Sequence, residues 1–456
     1  MRSTLILIAF SMLTLSGCSL TPELQRQNMM LPDNYRFATS LTSLAEQDWR
    51  AVFTDPQLQA LIDEALSSGS DALLAAARVN EVEAIAGIAR APLFPQAVLS
   101  LKTSPTARLP GDELTSTYLG GVGINWELDF WGRYRSAAQA MRADILATSE
   151  AKHAVHASLV SGVAACYYQL AALHEMQSVT QRAVDNHRSV LVLIKRLSSA
   201  GIASAAEERQ QESALATIEV RLPLLRRQVA ETEHALAVLL GRNPSAFDLN
   251  APVSLSLPEA IPAGLPSTLL QRRPDIREAE AKMVAANARI GEAKALFFPS
   301  LSLTAMFGGV TTGLTDLFSG NSATVASIGP DLMQPLFAGG RLQANREAVM
   351  ARMEQAVINY RKTVLKALGE VADSLVAYET SLEVLNIQAR RVDASTEVMR
   401  LADLRFRAGT AAFLEVLDAQ RQSLSAEIDL TQSLLDRRLA LIKVYKALGG
   451  GWQNEQ

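Results

Sequence analysis

The chain has 456 residues, of which 48% are hydrophobic but only 5% aromatic, and it carries a net charge of −4. That balance favours long helices over a β-rich or disordered chain, and the charge leaves no basic footprint for nucleic acid. Five scattered His and two Cys offer no metal-ligand spacing, so neither a metal nor another cofactor is expected.

The first seventeen residues read as a cleavable secretory signal. Arg2 precedes an apolar run from Leu5 to Leu15, which is too short to stay in a bilayer. The run ends in Leu15-Ser16-Gly17-Cys18, which resembles the lipobox of bacterial lipoproteins. The resemblance implies cleavage before Cys18 and lipid attachment to it. Ser19, in place of the Asp that retains such proteins in the inner membrane, implies the outer membrane. An ordinary signal peptide that contains a Cys is the alternative. Cys166 lies on an apolar helical stripe and is expected to be a small buried hydrophobe. Beyond the signal no apolar run reaches the length of a transmembrane helix, so a closed β-barrel is the remaining way across a membrane.

The rest of the chain is one unit written twice. Arg133 and Arg341, Ala200-Gly201 and Ala408-Gly409, and Leu240-Gly241 and Leu448-Gly449 recur 208 residues apart; Phe94-Pro95 and Phe298-Pro299 recur at 204. The expected boundaries are 18–70 for a lipid-anchored N-terminal segment, 71–241 for the first repeat, 242–273 for a linker, 274–449 for the second repeat and 450–456 for a tail. Each repeat opens with a helix, from Asp71 to Ala91 or from Asp275 to Leu296. A hairpin of two alternating segments follows, then a very long helix, from Arg133 to Ser199 or from Arg341 to Arg407. After a break at Gly201 or Gly409, a second helix runs to Gly241 or Gly449.

Spacing carries the helices. Leu215, Ile218, Leu222, Leu225, Val229, Thr232, Leu236 and Leu239 alternate in steps of three and four, as an a/d seam does. Leu159, Val163, Cys166, Leu170 and Leu173, and then Val371, Leu375, Tyr378, Leu382 and Leu385, repeat the pattern on the long helices. Pro223 should bend its helix or leave one carbonyl unpaired. Gly201 and Gly409 suit a helix end or a tight reversal. At 1.5 Å per residue each long helix would extend on the order of 100 Å, far more than a compact domain needs.

Period two carries the strands. From Tyr118 to Leu128 one face holds Tyr118, Gly120, Val122, Ile124, Trp126 and Leu128, and the other Leu119, Gly121, Gly123, Asn125 and Glu127. From Pro299 to Phe307, Leu301, Leu303, Ala305 and Phe307 alternate with Ser300, Ser302, Thr304 and Met306. Such segments match lipid-spanning barrel strands. Phe94, Trp126, Phe130, Trp131, Phe298 and Phe337 cluster near the strand–helix junctions, where an interfacial girdle would sit. Pro330 weakens the middle of the fourth segment. Four strands cannot close a barrel, which needs about eight, and open edges are not tolerated in lipid. The chain must therefore share a barrel with copies of itself; two copies give eight strands, three give twelve, and strand count does not choose.

The segment from Leu269 to Thr304, LLQRRPDIREAEAKMVAANARIGEAKALFFPSLSLT, is similar to the signature of the outer-membrane factors of the TolC and OprM type, especially their lipoprotein branch. Trp49, Phe53, Asp55, Pro56 and Leu58, then WELDFWGR from Trp126, QPLFAGGR from Gln334, LEVLDAQR from Leu414 and YKALGGGW from Tyr445 resemble the same family in the same order. The resemblance implies a mainly α fold with a β-barrel membrane part. Three copies would share a twelve-stranded β-barrel continuous with a long α-helical barrel, girdled by a belt built from the linker and the chain ends. It implies the outer-membrane channel of a tripartite efflux system, extending into the periplasm. Such a channel passively conducts drugs or toxic solutes from a periplasmic adaptor and an inner-membrane transporter of the resistance-nodulation-division type. No phosphate-binding Gly loop or nucleophile elbow is present, so the chain is not expected to be an enzyme.

The same resemblance carries over a gate where the helices meet at the periplasmic tip, near the turns at Gly201 and Gly409. Leu414 and Asp418 match residues that form constricting rings, an apolar collar and a ring of carboxylates able to bind cations. Arg421, three residues on, is placed to pair with Asp418. From the residues alone, the favoured reading is Leu414 as core and Asp418 with Arg421 as a solvated ion pair; the gate rests on the resemblance. Gln210 stands at the repeat position of Asp418, so an acidic ring should come from one helix pair only. Protein secretion or metal-ion export through the same architecture is a further reading, as is a structural coiled-coil lipoprotein, which would not need the hairpins.

Overall fold

The computed structural model describes residues 20–24, 32, 35, 43–106, 115–244, 257 and 261–452. The expected signal, Cys18, most of the linker and the last residues of the tail lie outside them. In chain order the elements are α1 (Pro56–Ser68), α2 (Ser70–Arg90), β1 (Gln96–Thr106), β2 (Thr115–Leu128), α3 (Arg133–Ser199), α4 (Ala205–Glu219) and α5 (Arg221–Leu239). Next come α6 (Pro266–Arg272), α7 (Pro274–Ala295), β3 (Ser300–Thr311), α8 (Asp316–Ser319), β4 (Ala323–Met333), α9 (Arg341–Arg407) and α10 (Phe413–Ala447). The long helices α3 and α9 have 67 residues each. Among the described residues no helix is long and apolar enough to cross a membrane.

Helix ends repeat with the sequence. Gly201, Gly241, Gly409 and Gly449 take φ values of 74°, 73°, 73° and 86° after α3, α5, α9 and α10. At α9, Gly409 N donates to Phe406 O and Thr410 N to Arg405 O, each at 2.9 Å. This is the Schellman arrangement, which satisfies the last helical carbonyls. The repeats differ at Pro223. It has no N–H to offer the Glu219 carbonyl, and the helix is interrupted at Val220. Thr431 stands at the matching place, and α10 runs unbroken for 35 residues.

The described residues form two compact units, and each draws on both repeats. One is built from Arg78–Ser149 and Glu278–Lys362 with the described residues before Asn28. Its sheet has the order β1-β2-β3-β4, antiparallel throughout. Directly paired residues share a face. Leu99, Val122, Phe307 and Ala326 form one row, and Ala97, Ile124, Ala305 and Ile328 another on the same side. Asn125, Thr304, Glu127, Ser302 and Asp331 stand on the opposite side. The sheet therefore has one apolar face, on which Leu99 is 80% exposed, and one polar face. Pro330 pairs with Leu303 on an edge strand, where a missing donor is tolerated.

Aromatic residues gather where strands become helices. Trp131 stacks on Phe298 with centroids 4.7 Å apart, and its Nε1 donates to Pro299 O at 2.8 Å. Trp126 Nε1 donates to Leu93 O at 3.1 Å. The Asp129 carboxylate accepts from the Tyr134 and Arg135 N–H groups at 3.2 and 2.8 Å, capping α3. The segment around Thr21 docks nearby. Thr21 Oγ1 lies 3.1 Å from Ser136 Oγ, and Asn287 Nδ2 donates to Pro22 O at 2.8 Å. Gly291 lets Thr21 approach this closely, since a Cβ there would lie 2.9 Å from Thr21 N.

The second unit takes its described residues from Met29–Ala77, Glu150–Arg277 and Thr363–Gln456. Leu170, Leu173 and Val229 form the seam of α3 on α5. The segment most diagnostic in the sequence works here as a joint. Arg273 is buried, donates to Asp275 at 2.9 and 2.6 Å and to Glu370 at 2.7 Å, and reaches Ala447 O at 3.2 Å. The N-terminal motif is structural as well. Asp55 caps α1 and accepts from Tyr167 OH at 2.8 Å, and Phe53 meets the Tyr445 ring edge-on at 5.9 Å.

Candidate functional site

The site begins with the turn at Gly409 and the first turns of α10. At 3.6 residues per turn, Leu414, Asp418 and Arg421 fall within about 60° of one another, roughly opposite Val416, Gln420 and Ser423. Val416, Gln420 and Ser423 are buried. Leu414 is 62% exposed, so within the chain it is not core. Asp418 and Arg421 are in contact. Arg421 Nη2 donates to Asp418 Oδ1 at 2.6 Å, and Gln422 Nε2 donates to Oδ2 at 2.5 Å. Those two donors hold the Asp418 carboxyl below its ordinary value. The pair lies within one helix, and Leu414 stands one turn away on the same exposed side.

Behind this face the helices are clamped. Ile194 of α3, Ala402 of α9, and Phe413, Val416 and Ala419 of α10 form a buried cluster. Phe406 and Phe413 bring their rings to 5.3 Å across the turn. Arg405 of α9 bonds Glu415 of α10, and Arg391 of α9 bonds Asp429 of α10 at 2.6 Å. The reading of the sequence did not find these cross-helix pairs. A signal was available, since Glu415 is the repeat partner of Glu207. In the first repeat Ser204 and Glu207 form a capping box for α4, whereas Ala412 gives α10 no side-chain cap. Glu415 is engaged by Arg405 instead.

The turn at Gly201 has different surroundings. Gln211 Nε2 donates to His187 O at 2.6 Å. His187 is buried, and burial pushes its ring below the ordinary value. Gln210 lies beside this contact, and no acidic counterpart of Asp418 occurs there. Cys166, expected to be buried, is half-buried, and burial raises its thiol pKa.

Comparison with known proteins agrees with this architecture. The outer membrane efflux protein family matches residues 61–242 and 265–450, two stretches that follow the two repeats. The probable efflux pump outer membrane protein TtgC of Pseudomonas putida is 35% identical over 472 residues, covering 100% of this chain and 97% of that protein. The cation efflux system protein CusC of Escherichia coli is 33% identical over 450 residues, covering 97% of each. The open state of the outer membrane channel MtrE of Neisseria gonorrhoeae superposes with a TM-score of 0.85 at 30% identity, covering 95% of this chain and 98% of that one. The chain belongs to the outer membrane efflux protein family and is an efflux channel of the outer membrane.

Proposed function

We propose that three copies of this chain form one passive conduit, the exit duct of a tripartite efflux system, fed by a periplasmic adaptor and an inner-membrane transporter of the resistance-nodulation-division type. The observation that carries this reading is the four-stranded sheet with one apolar face, one polar face and two unpaired edges. Such a sheet is stable in lipid only when copies close it. With the apolar face outward, Ser, Thr, Asn and acidic side chains line a watery lumen. Drugs and other toxic solutes are the cargo favoured here; CusC, by its name a cation efflux protein, keeps metal ions as the second candidate. The conduit does no chemistry, and the energy comes from the transporter.

The Leu414 collar and the Asp418–Arg421 pair form the gate in this reading, with Gly201 and Gly409 turning the helices at its rim. The exposure of Leu414 in the single chain supports a ring built between copies. Cys18 carries the lipid. The docking of Thr21 on Ser136 supports this, because three residues span at most about 10 Å. The acyl chains would then lie beside the aromatic junction. Mature protein should begin at Cys18 with added acyl mass, and an unmodified N-terminus elsewhere would remove the anchor. The channel itself is tested by placing the purified protein in a planar bilayer. Discrete conductance steps with cation preference are expected, and silence under all voltages would defeat the proposal.

A further inference from the structure

The loop joining β3 to β4 is folded back on the sheet. At Gly120 the Cβ position lies 2.7 Å from Leu317 Cδ2 and 3.5 Å from Leu101 Cδ1. At Gly309, which pairs with Gly120, the Cβ position lies nearest Ser322, 3.0 Å from its Cβ, and 3.5 Å from Leu317 Cδ1. The Cβ direction tells which face a strand residue presents. Gly120 and Gly309 stand on the side of Leu101, Val122 and Phe307, so Leu317 lies on the apolar face. It fills the Gly120 side of a notch left by two residues without side chains, and Ser322 covers the Gly309 side. The loop is tied by its own hydrogen bonds, from Asp316 N to Gly313 O at 3.1 Å and from Phe318 N to Thr315 O at 3.2 Å, and it closes at Gly320 with φ of 80°. Leu314 and Phe318, on either side of Leu317, are 44% and 78% exposed.

We propose that this loop is a lipid anchor, with Leu314 and Phe318 in the acyl chains of the outer leaflet and Leu317 seated in the Gly120–Gly309 notch. The inference rests on the reading that the apolar face meets lipid. Continuity commits the occupant, because the loop extends the same apolar surface as Leu99, Leu101 and Phe307. Depth agrees. Gly120 is six residues from Trp126 at the junction girdle. At about 3.3 Å per residue and a strand tilt of about 40°, the notch stands ~15 Å above that girdle, inside an apolar band about 25 Å tall. A large exposed aromatic at that height is unfavourable in water and favourable in hydrocarbon.

The test places single spin labels at Phe318→Cys and Leu314→Cys, in a Cys166→Ser background, with Val122→Cys and Asn321→Cys as reference sites. The assembled protein is reconstituted into vesicles of phosphatidylethanolamine and phosphatidylglycerol. Collision with dissolved oxygen and with a water-soluble nickel chelate is then measured at each label. Labels at 318 and 314 should match Val122→Cys, rich in oxygen contact and several-fold less open to the chelate than Asn321→Cys. Adding Leu317→Ala should raise chelate contact at 318, and no change would show that the notch does not hold the loop. If Val122→Cys is lipid-like but 314 and 318 are open to the chelate, the anchor is wrong and the face assignment stands. If Val122→Cys is itself open to the chelate, the face assignment fails and the anchor falls with it.

Discussion

Asp418 spends one carboxylate on two donors of its own helix while pointing away from the buried cluster behind it. Asp418→Ala should increase conductance in a planar bilayer, weaken cation preference and admit large antibiotics into cells; wild-type values in all three would make Asp418 a surface charge. The hydrogen bonds from Arg421 and Gln422 hold its pKa below the ordinary carboxylate value. The pair therefore contributes fully above that value and is lost as the pH falls through the depressed one. Conductance should be flat between about pH 5 and pH 8 as far as this pair is concerned. Two glycines separate strain from sterics. Gly409 has φ of 73° and open space around its Cβ position, so Gly409→Ala should cost only about 1 kcal/mol and speed amide exchange near the turn. Gly121 would put a Cβ 2.5 Å from Phe307 O, so Gly121→Ala should lower the yield of assembled channel. The Asp418–Arg421 contact was legible, because i,i+3 neighbours on a helix need no tertiary information, but whether it falls within or between helices was left open. It left Leu414 open between core and collar, because exposure depends on what the helix packs against.

The two halves share a backbone and differ in the chemistry that ties helix to helix. Leu170 on α3 and Val229 on α5 meet in an apolar seam. At the matching places Arg437 lies over the Tyr378 ring, 4.7 Å from its centroid. The α10 start is likewise less self-sufficient than the α4 start, since Ala412 stands where Ser204 caps. Ala412→Ser should stabilise the first turn of α10 by about 1 kcal/mol, and slower amide exchange from Phe413 to Val416 would register it. The limits of α2, α3, α7 and α9 were legible to within a residue, whereas α1, α6 and α8 were not expected. The repeat offset and the a/d spacing mark both ends of α3 and α9, and glycine fixes the reversals. The bend expected from Pro223 fell at Val220. Arg405–Glu415, Arg391–Asp429 and the seating of Leu317 were not legible, because each joins elements whose juxtaposition no local pattern encodes.

Across the whole chain, the two sequence repeats do not become two spatial units; each compact unit interleaves segments of both. That interleaving explains why the most recognisable segment of the sequence is a joint and not a gate. Arg273 ties the start of α7 to α9 and to the end of α10. Removing its charged hydrogen bonds to Glu370 and Asp275 should cost about 2 kcal/mol, so Arg273→Ala should lower the temperature at which the assembly dissociates while leaving ion preference unchanged. The need for copies was legible from four strands alone, whereas their number came from the family. In the proposed conduit the edges of β1 and β4 are closed by other copies of the chain. Native mass spectrometry of the protein extracted in mild detergent counts those copies. One species with the mass of three chains is expected, and a monodisperse single chain would show that the barrel is not shared.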